Sequence, residues 1–329
     1  VSSSTTDPLL PLVKRVTDGV VGRQREVELL LAALAAGRHI VLEGPPGTGK
    51  STLLRVVANE LGCGFQFVEG NAELTPSRLA GHFDPSVVIA QGYRQEAFIP
   101  GPLATAMTDG SLLYIEELNR VPEETLNVLI TVMSEGELNV PRAERIVASP
   151  GFRIVAAMNP FDATGTARIS AAIYDRVCRL AVGYQDAPDE VQIVRGTLAT
   201  GDVDETWLAK VVEVVRLTRT HPDVRVGSSV RGAIDTAAVA HQLAAIRDRS
   251  ATDPVLGLDA AVVALSGRLR LRDGALRSSE DLISELWWSV FQRDEADDSG
   301  KAPAPTGAMA KPSLARNQDQ SRAARLTTP

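Results

Sequence analysis

Gly44-Pro45-Pro46-Gly47-Thr48-Gly49-Lys50-Ser51 lies between a short apolar run at 39–43 and a helical run at 51–61. Its spacing is GxxxxGK[ST], and each position has a physical job. The glycines let the backbone curl until successive N–H groups point at one anion, Lys50 adds a point charge, and Ser51 offers a hydroxyl to Mg²⁺. With Thr52, Ser51 begins a helix whose N-terminus faces the same anion. A strand before and a helix after are the context this chemistry requires, so residues 44–52 are candidates for holding the phosphates of a nucleotide.

Outward from this loop, two textures alternate up to about residue 183. Residues 23–36 place Val27, Leu30, Leu31 and Leu34 on one helical face, and Gly37 stops them. Residues 39–43, 65–69, 111–116 and 152–158 read as buried strands. Between the last two, residues 123–135 set Leu126, Leu129, Ile130 and Met133 on one side of a helix. Such alternation predicts an α/β fold, a mostly parallel sheet with helices on both faces. Beyond residue 185 the strand signals stop, and 189–198, 204–219, 229–249, 258–272 and 279–292 all read as helices. The expected division is an extension at 1–19, an α/β nucleotide-binding domain at 20–184, a small all-α lid at 185–291 and a disordered tail at 292–329. In the tail the large apolar residues are Met309, Leu314 and Leu326, too few to offset the entropy of ordering. Near the lid's end Ile283, Leu286, Trp287 and Val290 form an inward stripe, which sets Trp288 and Phe291 off that face.

The chain has 329 residues, with 34 basic and 41 acidic side chains and a formal net charge of −7. A surface built to neutralise many phosphates is basic, so nucleic acid is disfavoured as a partner. Cys63 and Cys178 are not paired in a CxxC, and His39, His82, His221 and His241 are scattered, which argues against a disulfide framework or a zinc site. No apolar run approaches the ~18 residues that span a bilayer. The opening residues have no basic region leading into an apolar stretch, so the expected location is cytoplasmic, away from membranes.

A phosphate cradle needs a carboxylate for its metal, and a neighbouring strand end can supply one. Leu112-Leu113-Tyr114-Ile115-Glu116-Glu117 ends in two acids. Glu116 is the candidate metal holder, in place of the more usual aspartate, and Glu117 the base that orients and deprotonates water. Asn159 ends the run Ala156-Ala157-Met158-Asn159-Pro160, where an amide could reach the γ-phosphate or the water.

Together the cradle, Glu116-Glu117-Leu118-Asn119-Arg120, residues 156–160 and the helical lid resemble the P-loop core of an AAA+ ATPase. The likeness is to the MoxR branch with its CbbQ-like relatives, over about residues 20–240. It implies ATP and Mg²⁺ as cofactors, sheet order 5-1-4-3-2, and a homo-hexameric ring with nucleotide between subunits. Val20-Val21-Gly22 resembles the stretch packed against adenine. Residues 79–103 resemble an insertion in the second helical region, and 138–152 a hairpin before the first-sensor strand, whose sensor is matched by Asn159. Gly227-Ser228-Ser229-Val230-Arg231 resembles the second sensor, with Arg231 reaching the γ-phosphate. Tyr174-Asp175-Arg176 resembles the Asp-Arg-Phe that supplies an arginine to the next subunit, with Val177 in the aromatic's place; Arg176 is the first choice, Arg179 and Arg168 the reserves. The resemblance further implies remodelling or maturation of a client protein, such as a metal-cofactor enzyme, beside a partner carrying a von Willebrand factor A domain. An assembly scaffold with little turnover and a nucleic-acid motor are the alternatives; a small-molecule kinase ranks below both, because the lid and Arg231 fit a ring better.

Overall fold

The computed structural model describes residues 9–160, 169–198 and 204–292. Its centre is a five-stranded parallel sheet: β1 (His39–Glu43), β2 (Phe65–Glu69), β3 (Leu112–Glu116), β4 (Arg153–Met158) and β5 (Val177–Ala181), in spatial order β2-β3-β4-β1-β5. Read from the other edge this is the expected 5-1-4-3-2. Strand β5 carries no alternating apolar pattern, because Cys178, Arg179 and Ala181 are exposed along an edge, and the apolar-run reading passed over it.

Side chains of β1 leave the sheet on alternate sides, so its core contacts divide. Ile40 and Leu42 join Leu53, Leu54, Val57, Leu30 and Leu31 from the helices Lys50–Leu61 and Gln24–Ala35. Val41 joins Leu103, Met107, Leu126 and Leu129 from Pro102–Asp109 and Glu123–Glu135 on the other side. Within the segment expected as an extension, residues Leu9–Asp18 form a helix that buries Leu12 and Val16 in the first of these cores.

Both insertions are two-stranded. Gly81–Phe83 pairs antiparallel with Phe98–Pro100, and Glu137–Leu138 with Ile146–Val147. They are tied to each other: Arg142 lies 4.1 Å from the Tyr93 ring centroid, and the Glu144 N–H donates to the Gln95 side-chain oxygen at 3.3 Å.

The helical region after residue 185 has its own core, built from Trp207, Leu208, Val211, Val215, Leu256, Leu282 and Trp287 among others. Two expectations fail there. The helix expected at 258–272 runs instead over Pro254–Leu265, started by Asp253 accepting from the Val255 and Leu256 N–H groups. Beyond it, Arg270–Leu271 pairs antiparallel with Val224–Val226, where alternating Arg270, Leu271 and Arg272 suit a ladder better than a helix. Second, Phe291 is not off the inward face; it stacks on Trp287 with centroids 4.1 Å apart and is buried. Trp288 is half-buried against the same core. Residues 1–8, 293–329 and Arg168 lie outside the described residues, and with them the disordered-tail expectation. Among the described residues, no helix is long and apolar enough to cross a membrane.

Candidate functional site

Strand β1 ends at Glu43, and the chain must then turn sharply without leaving the sheet. A side chain at Gly44 would collide with the Val182 carbonyl. Gly47 and Gly49 take φ of 74° and 78°, a region that opens freely only to glycine. Thr48 Oγ1 donates to the Pro45 carbonyl at 3.1 Å and closes the loop. Lys50 lies inside the resulting hollow, its Nζ donating to the Gly44 and Pro45 carbonyls at 3.0 and 2.8 Å. Burial lowers its pKa to about 8; the Glu116 carboxylate opposes that, while Arg23 and Arg231 reinforce it. The ammonium thus keeps its charge at neutral pH, with two guanidinium groups near enough to act on it.

The carboxyl ends of β3 and β4 close the site. Ser51 Oγ donates to Glu116 Oε1 at 3.0 Å, with the Tyr114 hydroxyl 3.3 Å from the same Oγ. Two hard oxygen donors of this kind fit Mg²⁺. Glu117 is one of the non-glycine residues with positive φ, at 53°, a conformation held at a cost where the surroundings impose it. The imposing contact is close by. Gly70 donates its N–H to the Glu116 carbonyl at 2.7 Å and has no room for a Cβ against the Glu117 carbonyl. The turn aims Glu117 off the strand, and its carboxylate meets Arg120 at 3.0 Å. Asn159 follows Met158, which is level with Glu43 and accepts from the Gly44 N–H at 3.2 Å; Asn159 therefore stands beside the first residue of the loop.

From the helical region, Ser229 packs so closely on Gly47 that a Cβ there would overlap it, and the Arg231 Cδ lies 3.7 Å from the same point. Arg231 thus faces the loop from the N-terminal turn of the helix Val230–Arg247. Val20 and Val21 are half-buried, with the Val21 carbonyl accepting from Gln185 at 3.5 Å. Two arginines the sequence reading passed over fasten these parts. Arg23 is 4% exposed and donates to the Thr48 carbonyl at 2.9 Å and the Gly183 carbonyl at 2.6 Å, with Glu26 as its counter-charge at 2.8 Å. Arg219 lies 3.9 Å from the Tyr184 ring centroid, meets buried Glu190 at 2.8 Å and donates to the Ser228 carbonyl at 2.7 Å. The one signal for Arg23 was a basic residue directly after Val20-Val21-Gly22.

The arginine candidates separate. Arg176 precedes β5, at the amino end of the sheet and away from its own chain's loop; it donates to Ser134 Oγ and to the Ala172 carbonyl. It borders an open cleft of about 450 Å³ with Arg38, His39 and Asp175. Arg179 is committed within the chain: its Nε donates to Glu43, which also accepts from the Tyr174 hydroxyl at 2.6 Å. Glu43, 5% exposed, thus joins the root of the loop to the turn that carries Arg176.

Residues 39–177 match the AAA domain of the dynein-related subfamily. YeaC of Bacillus subtilis, an uncharacterised protein, is 29% identical over 75% of this chain and 82% of its own length. The gas vesicle ATPase GvpN of Haloferax mediterranei is 30% identical over 59% of this chain and 60% of its own. MoxR of Methylorubrum extorquens is 31% identical over 50% of this chain and 46% of its own. The chain therefore spans only about half to three fifths of MoxR and GvpN. Among solved structures, the Holliday junction branch migration motor RuvB of Thermotoga maritima aligns over 77% of this chain and 72% of its own with a TM-score of 0.52; at 16% identity the likeness is one of fold.

Proposed function

We propose, from the premise that this chain is an AAA protein of the MoxR kind, that it hydrolyses ATP with Mg²⁺ and couples turnover to remodelling of a client protein. The observation that carries this reading is convergence: the Lys50 ammonium and the Ser51–Glu116 pair meet at the carboxyl ends of β1 and β3, the two strands that flank β4, with Arg231 facing the loop from the lid. Lys50 gives up its two carbonyl partners for phosphate oxygens, a charge-assisted exchange. Ser51 and Glu116 hold the cation, which when bound neutralises phosphate charge. Glu117 takes the proton of the attacking water, Asn159 orients that water, and Arg231 reports the γ-phosphate to the lid. Val20, Val21 and the residues of 44–52 enclose the nucleotide. Arg176, at the opposite end of the sheet, serves the site of the next protomer, which requires a ring; a homo-hexamer with a von Willebrand factor A partner is the assembly proposed.

Glu117→Gln tests the chemistry. It should bind ATP as the wild type does and lose phosphate release by about 10²–10⁴-fold; unchanged release removes Glu117 from its role. A second reading has a specific observation behind it. The Glu117 carboxylate is ion-paired with Arg120, as in a site that binds ATP, assembles and turns over slowly. Turnover equal to that of Lys50→Ala would favour this scaffold. A nucleic-acid motor would show salt-sensitive binding of single strands with stimulated turnover.

A further inference from the structure

Strand β3 buries one hydroxyl among hydrocarbons. Leu112, Leu113 and Ile115 are apolar and buried, and Tyr114 is fully buried with them. Its ring packs with Leu53, Leu54 and Val57, and lies 5.8 and 5.7 Å from the Phe65 and Phe67 centroids. A leucine or phenylalanine would serve that packing without burying a polar atom, which is unfavourable unless the atom finds partners. The partner it finds is the Ser51 hydroxyl, one of the two groups proposed to hold the cation. The Tyr114 oxygen is 3.3 Å from Ser51 Oγ, and Ser51 in turn donates to the Glu116 carboxylate at 3.0 Å.

This bears on the unusual length of Glu116. A glutamate has one more rotatable bond than the aspartate expected in this place, and an unbraced carboxylate there would sample positions useless to a cation. We propose that Tyr114 is a positioning residue of the metal site: its hydroxyl holds the Ser51 hydroxyl against the Glu116 carboxylate, in the arrangement that receives a hard divalent cation. The inference rests on reading residues 44–52 as a nucleotide cradle.

Tyr114→Phe keeps the ring and deletes the brace. With the full chain, ADP binding is measured by calorimetry in EDTA, and Mn²⁺ uptake by the ADP-bound protein from the paramagnetic signal of free Mn²⁺. The expected result is ADP affinity within about twofold of wild type and Mn²⁺ affinity weaker by about tenfold. In a Glu116→Asp background the same change should alter Mn²⁺ affinity by less than about twofold, since the shorter acid does not reach the Ser51 hydroxyl that Tyr114 holds. Unchanged Mn²⁺ affinity in Tyr114→Phe overturns the inference, as does a parallel loss of ADP binding in EDTA, the mark of packing alone. Wild type that binds ADP but no Mn²⁺ also overturns it. Wild type that binds no ADP overturns the cradle reading and the inference together.

Discussion

The two ends of the central sheet are built for different work. At the carboxyl end, polar and charged groups rest on partners they can exchange: Lys50 on two loop carbonyls, Ser51 on Glu116, Glu117 on Arg120. At the amino end, polar groups are spent on holding strands in register. His39 Nδ1 accepts from the Ile154 N–H at 2.9 Å, bridging β1 to β4, and Arg176 is braced by Ser134 and Ala172. On the proposed function, one end trades hydrogen bonds with a ligand, while the other stays fixed with Arg176 beside an open cleft. Glu43, with Tyr174 and Arg179, is the link between them.

If the ends divide the labour in this way, substitutions should divide too. Arg176→Ala should leave nucleotide binding within about twofold and lower turnover by ~10³-fold, as for an arginine supplied in trans. Adding an Lys50→Ala chain, which keeps Arg176, should restore part of the activity; no recovery on mixing would break the contrast. Arg23→Leu strips a buried counter-charge from the Thr48 and Gly183 carbonyls and from Glu26, and should cost about 3 kcal/mol in urea unfolding. A cost near zero would mean the loop holds itself.

The amino end should show its role through pH. Burial foremost, with Arg153 adding to it, lowers the His39 pKa from 6.5 to about 4. The neutral ring is the folded form, so its stabilisation is complete above pH 6.5. As pH falls, the unfolded chain takes up the proton first, and the contribution is lost between pH 6.5 and 4. Allowing for residual exposure, about 2 kcal/mol should disappear across that window. Urea titrations at pH 7 and 4.5 read it, and His39→Gln should shrink the difference by that amount. The smallest effect is expected at Arg120→Ala. Freeing a half-exposed Glu117 is worth ~0.5 kcal/mol and should raise turnover about twofold if the pair restrains the base; lower turnover would show that Arg120 helps to place it.

Sequence reading served the two ends unequally. Residues 44–51 were legible because positive-φ glycines, a lysine and a hydroxyl must be consecutive to wrap an anion. Glu116, Glu117 and Asn159 were legible because each closes an apolar run, and in a parallel sheet such ends gather on one side. Arg23, Arg219 and the Glu43–Tyr174–Arg179 group were not, because none forms a pattern along the chain. Likewise β5, an edge strand with exposed polar residues, lacked the alternation that marks its neighbours.

By itself, then, the sequence determined the alternation of strands and helices, the curvature of the loop and the chemical types at the strand ends, all set by backbone preferences over a few residues. Tertiary structure alone decided that Tyr114 meets Ser51, that Arg23 spans Thr48 and Gly183, and that Arg179 is spent on Glu43 while Arg176 faces away. Those pairings join residues up to 160 positions apart. What selects them is the penalty for leaving a buried charge or hydroxyl unpaired, which acts only after the chain has packed.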